Sequence, residues 1–70
     1  MIIDLYGREI EVVRRKGYWM VFIRGAEGKK RLAQDITIPS DVAEAELVEY
    51  LSDIYHEYAT QRHPVVKHIG

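Results

Sequence analysis

Cysteine is absent from this chain of 70 residues. That excludes disulfides and thiolate metal sites, and it leaves stability to a core that in so small a domain typically supplies only ~3–5 kcal/mol. Long apolar runs are absent too, since no stretch approaches the ~20 apolar residues needed to cross a bilayer. The opening residues Met1-Ile2-Ile3-Asp4-Leu5 lack the basic flank and long apolar segment of a signal peptide, so the expected setting is the cytoplasm. Bulk charge of one sign is also missing. The net charge is −1, which provides no general attraction to nucleic acid or to an anionic membrane. The charge is unevenly placed: residues 1–38 carry eight Lys/Arg against five Asp/Glu, giving +3, and residues 39–70 carry two against six, giving −4. With 47% hydrophobic and 30% charged residues the composition is that of an ordinary globule. One domain covering 1–70 is expected.

Aromatic residues are few but concentrated. The only Trp and the only Phe fall in Tyr18-Trp19-Met20-Val21-Phe22-Ile23-Arg24. Aromatic and β-branched residues suit a pleated, half-buried surface, so this stretch reads as a strand. Alternation puts Trp19, Val21 and Ile23 on one face and Tyr18, Met20 and Phe22 on the other. A strand apolar on both faces belongs inside a sheet that is covered on both sides.

The flanking segments supply its neighbours. Ile2 to Tyr6 reads as a first strand, Gly7-Arg8 as a type II′ turn, and Glu9 to Arg15 as a second strand. Lys16-Gly17 makes the next tight turn. This second turn sets Arg15 opposite Tyr18, Val13 opposite Met20, Val12 opposite Val21 and Ile10 opposite Ile23. The first turn sets Leu5 opposite Ile10 and Ile3 opposite Val12. Both registers assemble one apolar face, which a one-residue slip would scatter. Asp4 opposite Glu11 is a like-charge blemish in that scheme. Gly25 to Lys30 is a polar loop, in which a tight Glu27-Gly28 turn would oppose Arg24 to Arg31. A fourth strand follows from Arg31 to Ile38, with Leu32, Ile36 and Ile38 inward, and Pro39 ends it.

Leu47, Val48, Leu51, Ile54, Tyr55 and Tyr58 recur with the spacing of one helical stripe. A helix over about 43–60 is expected. Its start is either an Asp41/Glu44 capping box or a cap at Ala43 with Val42 stapled to Leu47. The tail, 61–70, opens on His63-Pro64 and carries Val65, Val66 and Ile69. The expected fold is therefore α+β: a four-stranded antiparallel meander over about 2–38, with one C-terminal helix packed on the face of Leu5, Ile10, Val12, Trp19, Val21 and Ile23.

No active-site pattern accompanies this fold. His56, His63 and His68 match no metal spacing, and Ser40 and Ser52 lack a base and an oxyanion context. No catalytic residue, cofactor, metal or small-molecule ligand is indicated, and a non-enzymatic protein is expected. Two surfaces stand out. The sheet face away from the helix, with Ile2, Tyr6, Val13, Tyr18, Met20 and Phe22, is a larger apolar patch than a monomer normally exposes. A protein partner, most simply a second copy in a homodimer, or the folded-back tail would cover it. Separately, Arg8, Arg24, Lys29, Lys30 and Arg31 gather at one end of a meander, with Tyr6 and Phe22 nearby. That combination suits a nucleic-acid surface as an alternative.

The motifs Tyr6-Gly7-Arg8-Glu9, Gly17-Tyr18-Trp19-Met20-Val21, Gly28-Lys29-Lys30-Arg31, Asp35-Ile36-Thr37-Ile38-Pro39 and His56-Glu57-Tyr58-Ala59 resemble a family of short uncharacterised bacterial proteins, a domain of unknown function. The resemblance covers nearly the whole chain and implies a compact bacterial cytosolic protein without a stated activity. Gly17-Tyr18-Trp19 and the order of elements are also similar to HicB-type antitoxin domains, which implies a regulatory role. The Pro-Gly-Cys-rich segment of that family has no counterpart here.

Overall fold

The computed structural model describes residues 1–25 and 28–70. Four strands, β1 (Ile2–Leu5), β2 (Arg8–Arg15), β3 (Tyr18–Arg24) and β4 (Lys30–Leu32), form the expected antiparallel meander. A fifth strand, β5 (Val66–His68), comes from the tail and pairs antiparallel with β1, so the sheet order is β4-β3-β2-β1-β5. Among the described residues the one α-helix is α1 (Leu47–Ile54), flanked by 3-10 turns at Glu44–Glu46 and His56–Tyr58.

Two hairpin turns set the registers. Tyr6 (φ 50°) and Gly7 (φ 94°), then Lys16 (φ 49°) and Gly17 (φ 83°), each place two consecutive residues at positive φ. This is the type I′ geometry, whose twist matches that of the flanking strands. The β2–β3 register is the expected one, from Ile10 opposite Ile23 to Arg15 opposite Tyr18. The first turn is corrected from Gly7-Arg8 to Tyr6-Gly7, so Leu5 faces Arg8, Ile3 faces Ile10 and Asp4 faces Glu9. Asp4 Oδ1 accepts a hydrogen bond from the Gly7 amide at 2.7 Å, which holds the turn at this position. The slip is two residues in the partner, an even number, so no side chain changes face.

The turn does move Tyr6. Released from strand alternation, its ring is buried on the helix side, and its hydroxyl donates to the Ser52 carbonyl at 3.2 Å. Its expected place on the open face is corrected accordingly. The core comprises Ile3, Leu5, Ile10, Val12 and Val21 from the sheet, closed by Leu47 and Leu51 of α1. Trp19 packs at its margin and donates Nε1–H to the Val42 carbonyl at 2.9 Å.

The fourth strand is three residues long rather than the expected Arg31–Ile38. Arg24 opposes Lys30, which puts Leu32 opposite Phe22 on the open face, 51% exposed, instead of inward. Ala33 takes the inward position, and Ile36 and Ile38 are buried beyond the end of the strand. The segment leaves the sheet because the helix holds it. The Tyr55 hydroxyl accepts from the Thr37 amide at 3.3 Å, and the Tyr50 hydroxyl donates to the Thr37 carbonyl at 3.5 Å. Ala26 and the Glu27 half of the Glu27-Gly28 turn lie outside the described residues.

The regular helix is shorter than the expected 43–60. Its entry is the Ala43 alternative: the Ala43 amide donates to Glu46 Oε1 at 3.1 Å, and the Glu46 amide donates to the Ala43 carbonyl at 2.9 Å. Leu47 and Leu51 are fully buried, but Ile54 is 51% exposed and Tyr58 44% exposed, so the inward stripe ends near Tyr55. Eight residues of helix run about 12 Å, and the chain bends where Tyr55 is drawn onto Thr37. The tail then turns through reciprocal Thr60–His63 bonds and lays β5 against β1. Val66 joins the core.

Candidate functional site

The sheet face away from α1 is the candidate site. Directly opposed residues share a face, so the ladders define its rows. One row runs Lys30, Arg24, Glu9, Asp4, Lys67 across the five strands. The next runs Leu32, Phe22, Glu11, Ile2. Beyond these lie Met20 beside Val13, then Tyr18 beside Arg15. Charge is concentrated at one end of the strands, and apolar surface fills the rest.

Two ion pairs within the chain lie on this face. Arg24 Nη1 lies 3.1 Å from Glu9 Oε2, and Lys30 Nζ lies 3.2 Å from Glu11 Oε1. Lys30 reaches Glu11 by crossing Phe22, with Nζ 5.3 Å from the ring centroid. Its alkyl stem shields part of the ring, as long cationic side chains commonly do. Val13, Met20, Phe22 and Ile2 are half-buried by their neighbours, and Tyr18 is 49% exposed. The tail does not lie over them. It extends the sheet beside β1, so among the described residues this face has no cover.

The structure does not assemble the five basic residues into one surface. Arg24 and Lys30 are on the open face. Arg31 opposes Ile23 and Arg8 opposes Leu5, so both belong to the helix side, where Arg8 Nη1 lies 3.4 Å from Asp35 Oδ2. Lys29 sits in the loop before β4 and is exposed. Tyr6 is buried away from Phe22, so the expected pairing of aromatics with the basic cluster is not formed. The three histidines are likewise apart in role. His56 Nδ1 contacts the Asp53 carbonyl, the His63 ring packs against Gly7, and His68 Nε2 contacts the Gly70 carbonyl. Among the described residues no group of three or more His, Asp or Glu could hold a metal ion.

On the far side, an acidic groove lined by Asp41, Val42, Glu46, Glu49, Tyr50 and Asp53 runs beside α1. It accounts for the negative bias of the second half of the chain. No helix of the described residues is long and apolar enough to cross a membrane.

Sequence reasoning placed Ile2 on this face, as the structure does, and missed Leu32 and the Lys30 bridge over Phe22. Leu32 was hidden by the parity of the loop before β4. The bridge had a signal in hindsight, since a lysine on the strand next to Phe22 and Glu11 has few other places to go.

These features define a small α+β protein: one five-stranded antiparallel sheet, helix-covered on one face and open on the other among the described residues. The chain belongs to the family described as Domain of unknown function (DUF7661), whose model matches residues 1–70. It matches no curated protein and no solved structure.

Proposed function

We propose that this protein is a non-enzymatic interaction module and that the open sheet face is its contact surface for another protein. One observation carries the reading: Val13, Met20, Phe22 and Leu32 form an apolar patch, with Ile2 on the far side of Glu11, and the tail, which could have covered it, extends the sheet edge instead. Contiguous apolar surface rimmed by charge marks binding sites on soluble proteins. Aromatic residues and Met are the types enriched at interface cores. The basic end supports nucleic-acid binding less well, because Arg8, Arg24 and Lys30 are each engaged by a carboxylate.

The test is the size of the species that carries the chain in an extract of its host. The native chain is expected to migrate above its own mass of 8.2 kDa. A Phe22→Glu variant that keeps its circular dichroism is expected to migrate at monomer size. Native chain found at monomer size would refute the reading.

A further inference from the structure

We propose that the occupant of the open face is a second copy of this chain. The copies stack sheet to sheet about a twofold axis that runs parallel to the strands between β2 and β3. The proposal rests on reading that face as a contact surface and adds the partner and the geometry. It follows from how charge is divided across the face. The β3–β4 half carries Arg24 and Lys30, and the β1–β2 half carries Asp4, Glu9 and Glu11 with one cation, Arg15, at the opposite end of the strands.

A rotation about that axis exchanges β3 with β2 and β4 with β1, while keeping each row in place. Arg24 of each copy then lies over Glu9 of the other, and Lys30 lies over Asp4. In the same superposition Leu32 meets Ile2, Phe22 meets Glu11, Met20 meets Val13 and Tyr18 meets Arg15. The basic half of each copy covers the acidic half of the other, as a self-complementary interface requires. Lys67, at the outer end of the charged row on β5, falls outside the four overlapping strands. Lys30 Nζ lies 3.2 Å from Glu11 of its own copy, so in the dimer it stands between that carboxylate and Asp4 of the other copy.

Alternative stackings are distinguishable. An axis perpendicular to the strands would set β4 over β4 and leave Lys30 and Asp4 without partners. The overlap is about 19 Å wide and about 24 Å long at β2 and β3, but only about 10–14 Å long at the shorter β4 and β1, which is at the small end of specific interfaces. The association must therefore be followed over a wide range of concentration.

The absence of cysteine makes the geometry directly testable. Leu32 and Ile2 lie on β4 and β1, three interstrand spacings or about 14 Å apart in one copy, too far for a short thiol cross-linker. In the proposed dimer they face each other between copies. Leu32→Cys and Ile2→Cys chains are each treated with a bismaleimide of about 10 Å reach, matching the spacing of stacked sheets, alone and mixed. Sedimentation of the native chain is run in parallel. The expected result is a concentration-dependent dimer and a covalent dimer formed several-fold faster in the mixture than by either variant alone.

Charge exchange supplies a second readout. Lys30→Glu should weaken dimerisation by about tenfold, and mixing with Asp4→Lys should restore association through heterodimers. Efficient cross-linking of Leu32→Cys chains to one another would overturn this stacking. A native chain that stays monomeric at every concentration would overturn the self-association. In the latter case, a large species in host extract that is lost with Phe22→Glu would still uphold the face as a contact for a different protein.

Discussion

Replacing Gly7 by alanine should cost this protein more than the same change at Gly17, and the difference should measure how the tail is held. Both glycines are second in a type I′ turn, at φ 94° and 83°. An L-residue there carries a backbone penalty of roughly 1–2 kcal/mol. Around Gly17 a new methyl group would meet nothing within 4 Å. At Gly7 it would fall 2.7 Å from His63 Cδ2 and 2.9 Å from Cγ, inside any tolerable contact. The exposed His63 ring must therefore swing aside, and the Thr60–His63 turn leading into β5 is expected to yield with it. If β5 lifts, Val66 loses its burial, which is worth about 1.5–3 kcal/mol for a side chain of this kind. Gly17→Ala should thus cost about 1–2 kcal/mol, and Gly7→Ala about 2.5–5 kcal/mol when the Val66 term is added.

The assay is urea unfolding followed by Trp19 fluorescence. It is paired with amide exchange at Ile69 and Gly70, whose N–H groups donate to the Ile2 carbonyl. In a His63→Ala background the Gly7→Ala cost should fall toward that of Gly17→Ala, the signature of a removed clash in a double-mutant cycle. Equal costs for the two glycines, with amide protection at Ile69 and Gly70 unchanged, would refute the role given to His63.

Two further changes probe the core. Leu51→Ala removes a fully buried side chain; a loss of about 2–5 kcal/mol is expected, enough to leave much of the chain unfolded by circular dichroism at room temperature. Tyr6→Phe deletes the hydroxyl that donates to the Ser52 carbonyl at 3.2 Å and should cost about 0.5–1.5 kcal/mol in urea unfolding, with the fold retained. A gain in stability from Tyr6→Phe would contradict the inward placement of that ring.

The meander was legible because its signals are local. The Lys16-Gly17 turn and the alternation of Ile10, Val12, Val21 and Ile23 specify a register together, and the structure has that register. The first turn shows the limit of such reading. Tyr6-Gly7 and Gly7-Arg8 give the same strand faces, so hydrophobic pattern cannot choose between them; the Asp4 side chain on the Gly7 amide does.

The elements beyond β3 depended on tertiary contacts. Arg31 to Ile38 has strand formers at both ends, but Ala33-Gln34-Asp35 interrupts them, and Tyr50 and Tyr55 take both backbone groups of Thr37 and hold the segment off the sheet. Ile54 matches the helical stripe in spacing, but the helix turns away before there is anything for it to cover. The tail showed only that it would dock. Its pairing with β1 spans the chain, and no local pattern encodes a partner that far away. The candidate face was legible in Val13, Tyr18, Met20 and Phe22, because it is simply the reverse side of a strand that was certain.

The β1–β5 ladder joins Ile3 to His68, 65 positions apart in sequence. Closing a loop of that length from an unfolded chain costs on the order of 3–4 kcal/mol in entropy. A ladder of three residues returns little against it. The helix shortens the gap, because it packs on the sheet and leaves the tail close to β1 before pairing begins. Order of assembly follows: hairpins first, helix docking next, the final strand last. The same hierarchy governs opening. Detachment of β5 would leave β1 as a bare sheet edge with the other four strands and the helix still packed, so β5 is expected to be the first element lost.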